Sequence, residues 1–253
     1  GWNHWIPRYH DAYRNITKMC RYGMENGAVG VLNTDWGDFG QINEQEFSIP
    51  GLIYGAAFSW NGEEITEEDI NRSISVLEYG DSSEMLMEIM KRISRNEAVT
   101  WKWLCDYKEV CTDDLTEEEK ESRLRQYLGE EIAFPSDLDV FCQSVTKQNR
   151  DILENMDKIR ETMTRMDSSA RTLAYHFLLA ADGTRLMNRL SIMVMSRFLK
   201  QKEMEKEECW QLAEELENWL YYYKEMWRES SKESELCRIE EVICWYADEL
   251  RRN

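Results

Sequence analysis

The sequence contains little proline, glycine or histidine, and the first two are unevenly distributed. It has three prolines, three histidines and twelve glycines among 253 residues. Nearly all of the glycines precede residue 81, and beyond Pro135 there is no proline and one glycine, Gly183. Because both residues interrupt helices, their absence indicates a helical region. We place the boundary where the composition changes, giving a first domain over residues 1–62 and an all-helical C-terminal domain over residues 63–253.

Basic side chains are also scarce. The 31 Lys and Arg residues face 49 Asp and Glu residues, which gives a formal net charge of -18. A surface this negative repels phosphate groups, so we expect neither nucleic acid nor anionic lipid as a partner. No apolar run approaches the roughly 20 residues that a membrane-spanning helix needs. The simplest interpretation of the charge is solubility.

The seven cysteines are odd in number and contain no CxxC pair. Reduced thiols that pack as small apolar side chains are typical of a cytoplasmic protein. The three histidines have no ligand spacing with the cysteines, so a zinc site is not expected. The sequence therefore predicts a cytoplasmic location, with no metal and no cofactor.

The first sixty residues have the pattern of a helix, a strand, a loop and a second helix. Apolar residues recur at helical spacing over residues 8–26, and Asn26-Gly27 would end that helix. Residues 28–34 form a short apolar run without alternation, which is typical of a strand buried on both faces of a parallel sheet. A loop and an apolar helix over residues 51–60 follow. This order is one repeat of an α/β barrel, with the loop at the carboxyl end of the strand.

The rest of the sequence predicts helices. Signals for a helix start, each followed by acidic residues, stand at Thr66, Asp81, Thr116 and Ser136. Long helices are predicted over residues 136–166, 170–200, 205–229 and 232–252, and their short connections suggest an antiparallel bundle. The predicted fold class is therefore mainly α, with a helical-bundle C-terminal domain preceded by the last βα unit of a (β/α)8 barrel.

The run from Gly30 to Gly40, GVLNTDWGDFG, is the most informative stretch. It resembles the eighth-strand motif of glycoside hydrolase family 20, the β-N-acetylhexosaminidases, in the branch whose barrel is followed by an all-helical domain. Pro50–Ala57 is similar to the eighth helix of that family. Trp227-Arg228 and Tyr246-Ala247 resemble the tail of the same branch. The strong match covers residues 2–60.

The resemblance implies sugar-binding roles for three residues. Trp36 is similar to the family's tryptophan that forms a wall of the N-acetylglucosamine pocket, where an indole packs against the C–H face of the sugar. Asp38 resembles the acidic residue that accepts hydrogen bonds from the outer hydroxyls, although Glu is common there elsewhere in the family. Trp2 aligns weakly as a further pocket residue from the preceding loop. The implied partner is an N-acetylhexosamine-containing glycan.

The resemblance also implies a mechanism and a missing part. Family 20 enzymes use the acetamido group of the substrate as nucleophile, and an Asp-Glu pair orients it and protonates the leaving oxygen. No strand-flanked Asp-Glu pair occurs in residues 1–62, and Asp248-Glu249 falls in a predicted helix. We therefore expect the C-terminal part of an exo-acting β-N-acetylhexosaminidase, with substrate-assisted retaining hydrolysis in the intact parent and no catalytic residue in this chain. The first six barrel units would be absent, which predicts self-association, such as a homodimer, or local disorder.

Other interpretations remain open. Taken alone, Asp35–Asp38 would be a polar turn around a core tryptophan, or a calcium loop without the usual ladder of carboxylates. The aromatic residues of the helical region would form a carbohydrate platform or a core, and their helical spacing favours a core. The rival for the whole chain is a stand-alone helical interaction module in which the motif is coincidental.

Four charged or titratable side chains of the helical region are assigned structural roles. His176 lies among apolar residues and is predicted to be a core histidine with satisfied hydrogen bonds. Arg185, Arg189 and Arg197 are predicted to pair with acidic side chains on the surface, each pair contributing little to stability.

Overall fold

The computed structural model describes residues 3–60, 65–132, 134–135, 137–201 and 204–252. Over these ranges the chain is mainly helical, as predicted, and contains no β-strand. The α-helices of the described residues are α1 (Tyr9–Glu25), α2 (Ile49–Trp60), α3 (Glu67–Leu77), α4 (Leu86–Ser94), α5 (Trp101–Thr112), α6 (Glu117–Glu131), α7 (Leu138–Met163), α8 (Arg171–Phe198), α9 (Lys206–Ser230) and α10 (Leu236–Arg251). Short 3-10 turns precede α2 and α10, over Gln45–Ser48 and Glu233–Glu235.

Helix starts follow the predicted capping signals at Thr66 and Thr116. The Thr66 hydroxyl accepts a hydrogen bond from the third residue of its helix, and Thr116 forms a reciprocal capping box with Glu119. Asp137 caps α7, while the predicted start at Ser136 lies outside the described residues. These local signals are readable because each cap satisfies backbone N–H groups that the helix itself leaves unpaired.

Two predictions in the helical region were incomplete. Asp81 was predicted to begin a helix, but α4 begins at Leu86, and the Asp81 carboxylate accepts from the backbone N–H groups of Met85 and Leu86. Helix α5 was not predicted as an element. Its residues from Trp103 to Tyr107 are all buried, so no polar face marks the helical period.

The four long helices α7 to α10 pack in sequence order, as a bundle requires. Lys224 on α9 pairs with Glu240 on α10, and Glu217, two turns earlier on α9, pairs with Arg251 near the end of α10. The two helices are therefore antiparallel. Helix α4 packs on α7, and α5 lies between α6 and α10.

Residues 28–34 do not form the predicted strand. Within the described ranges no other segment pairs with them, and they form no helix. Val29 and Leu32, which were predicted to be buried, are almost fully exposed. A strand of a parallel sheet satisfies its backbone groups through neighbouring strands, and the described part of the chain supplies none. The prediction of a strand buried on both faces was therefore wrong for this structure.

The same segment is nevertheless held against α1 and α2. Ala28 lies beside Gly23 in the last turns of α1. Further on, the Asn33 amide donates to the Gly51 carbonyl at 2.8 Å, in the first turn of α2. The segment therefore runs from the C-terminal end of α1 to the N-terminal end of α2.

Side chains from both predicted domains share one buried cluster. The Trp5 ring makes edge-to-face contacts with Trp101 and Trp219, with ring centroids 5.3 and 5.2 Å apart. Phe47 stacks on Phe177 with centroids 4.2 Å apart. The boundary at residue 62 stays a prediction, since residues 61–64 lie outside the described ranges. The first domain contributes directly to the helical core.

Candidate functional site

Trp36 and Asp38 lie on an exposed stretch that follows residues 28–34. The Trp36 side chain is 67% exposed, and its indole N–H donates to the Thr34 hydroxyl at 3.2 Å. Asp38 is also exposed, and its backbone carbonyl accepts from the N–H of Gln41 at 2.9 Å. Trp36 is therefore not the centre of a buried turn. The third predicted sugar contact, Trp2, lies outside the described residues.

The backbone turns sharply immediately after Asp38. Phe39, Gly40 and Gln41 have φ values of +54°, +89° and +53°, in the left-handed region that residues with a side chain rarely adopt. A Cβ on Gly40 would lie 2.9 Å from the Ile239 side chain, so only glycine allows this approach to α10. The turn therefore directs the chain from the surface into the helical region.

We call residues 39–48 the anchor loop, because buried aromatic side chains bind its carbonyl oxygens. These hydrogen bonds run from Trp101 to Phe39 (2.8 Å), from Tyr223 to Ile42 (2.9 Å) and from Tyr9 to Phe47 (2.9 Å). An irregular segment inside a protein must find partners for its backbone groups, and three side-chain donors supply them here. The far end of the Trp36–Asp38 stretch is therefore fixed by helices α1, α5 and α9.

A histidine adds a charged connection to the anchor loop. His176 Nδ1 lies 2.8 Å from the Glu44 carboxylate, and His176 Nε2 lies 3.3 Å from Glu229. Burial alone lowers the pKa of His176, but the hydrogen bond and charge of Glu44, assisted by Glu229, raise it above the ordinary value. Both ring nitrogens have partners, as predicted, but His176 is only partly buried and lines a cleft instead of lying in the core.

The Glu44 carboxyl has an unusual environment for an acidic group. It is 6% exposed. Burial raises the pKa of Glu44, the bond with His176 opposes that shift, and the neighbouring Glu46 adds to it, so the pKa is raised overall. The anchor loop therefore carries a carboxyl that holds its proton more tightly than an exposed glutamate.

Three of the clefts in the described part of the chain lie beside α1, on the helical bundle and beside the anchor loop. The largest, of about 890 Å³, is an open groove between α1 and residues 28–34. A second, of about 600 Å³, lies on the bundle and includes Tyr175, His176 and Tyr222. The smallest, of about 290 Å³, lies between the anchor loop and the corner that joins α9 to α10. Trp36 and Asp38 line none of these three clefts.

The remaining predicted groups have structural partners. Arg185 and Arg189 pair with Glu215, and Arg197 pairs with Glu249, but these two acids are partly buried and not on the surface as predicted. All seven cysteines lie in the described residues, and the structure shows them as thiols and not as disulfides. In the described part of the chain, no group of three or more His, Cys, Asp or Glu residues is arranged to hold a metal ion, and no helix is long and apolar enough to cross a membrane.

Most aromatic residues of the helical region belong to the core, as their spacing predicted. Buried examples are Trp101, Trp103, Trp219, Tyr223 and Trp227. The exposed tryptophan and tyrosine residues of this region are Tyr175, Trp210, Tyr221 and Tyr222. Sequence reasoning missed the burial of the anchor loop, and its only local signal was the glycine at position 40.

Comparisons of the chain with protein family models, curated proteins and solved structures gave no match. The assignment of a function therefore depends on the geometry described above and on the sequence motif around Trp36.

Proposed function

We propose that this chain is the C-terminal part of an exo-acting β-N-acetylhexosaminidase, and that Trp36 and Asp38 contact a terminal N-acetylhexosamine. The observation that carries the proposal is the exposed Trp36 indole two residues before an exposed carboxylate. An aromatic face suits the C–H face of a sugar ring, and a carboxylate accepts hydrogen bonds from its hydroxyls. The tether from the indole N–H to Thr34 limits the rotation of the ring.

We further propose that residues 28–34 become the eighth strand when the preceding barrel units are present. The route of this segment supports the idea, because it runs back from the end of α1 to the start of α2. A helix–strand–helix unit of a barrel has this order. The exposed Val29 and Leu32 side chains would then pack in the barrel instead of facing water.

The chain on its own is expected to lack hydrolytic activity. Its sequence contains one Asp-Glu pair, Asp248-Glu249, on α10, where Glu249 is engaged by Arg197. Substrate-assisted hydrolysis requires both carboxyl groups beside the acetamido group of the sugar. We expect no release of p-nitrophenol from p-nitrophenyl N-acetylglucosaminide by this chain, and turnover that follows the purified protein would contradict the proposal.

Sugar binding is tested by NMR titration of the full chain with N-acetylglucosamine, observing the indole N–H signals. We expect a saturable shift of the Trp36 signal. Trp36→Ala should abolish binding, and Asp38→Asn should weaken it about tenfold, since a hydrogen bond to a charged group contributes roughly 1.5–3 kcal/mol. Trp60→Ala, which removes a 93% exposed tryptophan at the opposite end of α2, is the matched control and should bind normally. Equal binding by the Trp36 and Trp60 variants would contradict the proposal.

The rival function is a helical interaction module, which the exposed apolar side chains at Val29 and Leu32 favour. The two functions differ in solution. A module that pairs with itself would be a dimer by light scattering, would become a monomer on Leu32→Asp, and would not respond to N-acetylglucosamine.

A further inference from the structure

The cleft of about 290 Å³ beside the anchor loop has a polar lining that the proposed function does not use. Its walls come from two separate parts of the chain, the anchor loop and the corner between α9 and α10. The side chains relevant to recognition are Gln41, Asn43, Gln45, Trp227, Ser231 and Ser234. The volume is close to the lower end of the range for small-molecule sites, which begins at about 300 Å³.

Asn43 is the first indication that the cleft is a binding site. Its side chain is 2% exposed, and its Nδ2 has no hydrogen-bond partner among the described residues. Buried amide groups in folded proteins nearly always have a partner, because an unpaired donor loses its bonds to water without replacement. A side chain in this state next to a cleft is expected to be satisfied by something that enters the cleft.

The cleft wall is preorganised. The Trp227 indole N–H donates to the Lys232 carbonyl at 2.9 Å, which fixes the ring at the α9–α10 corner. The left-handed turn at Gly40 presses the opposite wall against α10. These contacts hold the backbone of both walls in place.

The lining chemistry selects a class of ligand. The amide and hydroxyl side chains both donate and accept hydrogen bonds but carry no charge. Lys232 and Glu235 at the rim have opposite charges, so the cleft favours neither anions nor cations. The buried Glu44 carboxylate is engaged by His176. Neutral hydrogen-bonding groups beside an indole that is 9% exposed suit a small molecule with several hydroxyls.

We propose that this cleft binds a neutral polyhydroxylated molecule of about the size of one sugar ring, with Asn43 as the buried donor. Trp36 and Asp38 do not line this cleft, and the proposal does not rest on the proposed function. It would hold equally if the chain were an interaction module.

Saturation-transfer difference NMR on the full chain tests the site, with glucose, N-acetylglucosamine and myo-inositol as probes. At least one probe should give a saturable signal. Ser231→Trp, which fills the cleft from its rim, and Asn43→Leu, which removes the donor at similar size, should each weaken binding at least about tenfold. Ser59→Trp places the same bulk on exposed α2 and should bind like the original protein, as should Trp36→Ala.

The outcomes separate the two sugar proposals. Absence of binding by all three probes, or binding that survives both cleft variants, would overturn the cleft site. A signal that is lost in Trp36→Ala and retained in Ser231→Trp would belong to the Trp36 stretch and would also overturn it. The thermal midpoint of Asn43→Leu without ligand should be equal to or above that of the original protein, because an unpartnered amide is removed. A lower midpoint would show that the amide is already satisfied within the protein, contrary to the proposal.

Discussion

Residues 28–36 and the anchor loop are neighbours in the sequence, and neither contains an α-helix, yet they have opposite environments. The first exposes Val29, Leu32 and Trp36. The second buries Ile42 and Phe47 and even an asparagine and a glutamate. Apolar content does not explain the difference, because the exposed stretch is the more apolar of the two.

The difference lies in the partners available to the backbone. Three aromatic donors satisfy carbonyl groups of the anchor loop, and His176 pairs with its buried carboxyl. Among the described residues, the stretch 28–34 meets no strand that would satisfy its backbone in the same way. An irregular segment is buried where donors for its carbonyl groups are in place, and it stays in water where they are not.

The largest contrast between the two stretches is expected from removing one apolar side chain in each. Phe47 is fully buried against Phe177, so Phe47→Ala should lower the free energy of unfolding by about 3–5 kcal/mol. Leu32 is 87% exposed, and Leu32→Ala should change it by less than about 0.5 kcal/mol. Urea unfolding monitored by circular dichroism measures both. Similar losses in the two variants would show that residues 28–34 are buried in solution.

A smaller effect should separate backbone strain from packing at two glycines with positive φ. Gly27→Ala meets no atom within 4 Å, so it should cost only the strain of the left-handed backbone, roughly 1 kcal/mol. Gly40→Ala adds a clash with Ile239 at 2.9 Å and should cost about 2–3 kcal/mol. The same unfolding experiment applies. Equal costs would mean that the anchor loop moves away from α10 without penalty.

The smallest expected effect is a pH dependence of the connection between His176 and the anchor loop. The pKa of His176 is raised in the folded chain, so its stabilisation is complete below the ordinary histidine pKa of about 6.5 and is lost as pH rises through the raised value. The raised pKa of Glu44 acts in the same direction from its ordinary value of about 4.3 upward.

Stability should therefore decline as pH rises above the ordinary histidine pKa of about 6.5. Urea unfolding across this range should show a shallower decline for His176→Gln than for the original protein. Glu229→Gln removes the weaker partner of His176. The decline in stability of this variant with pH should be intermediate between those of the original protein and His176→Gln. Parallel pH profiles for the original protein and His176→Gln would show that the pair contributes no pH-dependent stability.

Local chemistry explains which elements could be predicted from the sequence. Thr66 and Thr116 mark helix starts because their partners lie three residues away. Helix α5 escaped prediction because burial on several faces removes its period. The same distinction applies to the two candidate sites. The Trp36 motif is contiguous in the sequence and could be recognised from it. The Asn43 cleft is built from segments about 190 residues apart in the chain, and spacing rules for helices and turns do not extend over such a separation.

The apolar run at residues 28–34 shows the opposite error. Its apolar composition predicted burial, but a strand is a property of a pair of segments, and one segment cannot specify its neighbour. Val29 and Leu32 are therefore apolar and exposed in the same structure. Light scattering, which distinguishes a dimer from a monomer, measures whether a second copy of the chain covers these side chains.

The hydrogen bonds that hold the anchor loop also affect the order of events during synthesis and folding of the chain. Its partners Trp101, His176 and Tyr223 follow their loop contacts by 62, 132 and 181 residues. Contacts across such separations form late, since the entropy of closing the intervening chain is lost before any bond is gained. During synthesis, residues 39–48 leave the ribosome long before the helices that receive them. Until α9 is complete, this stretch is a site at which proteases and chaperones can act.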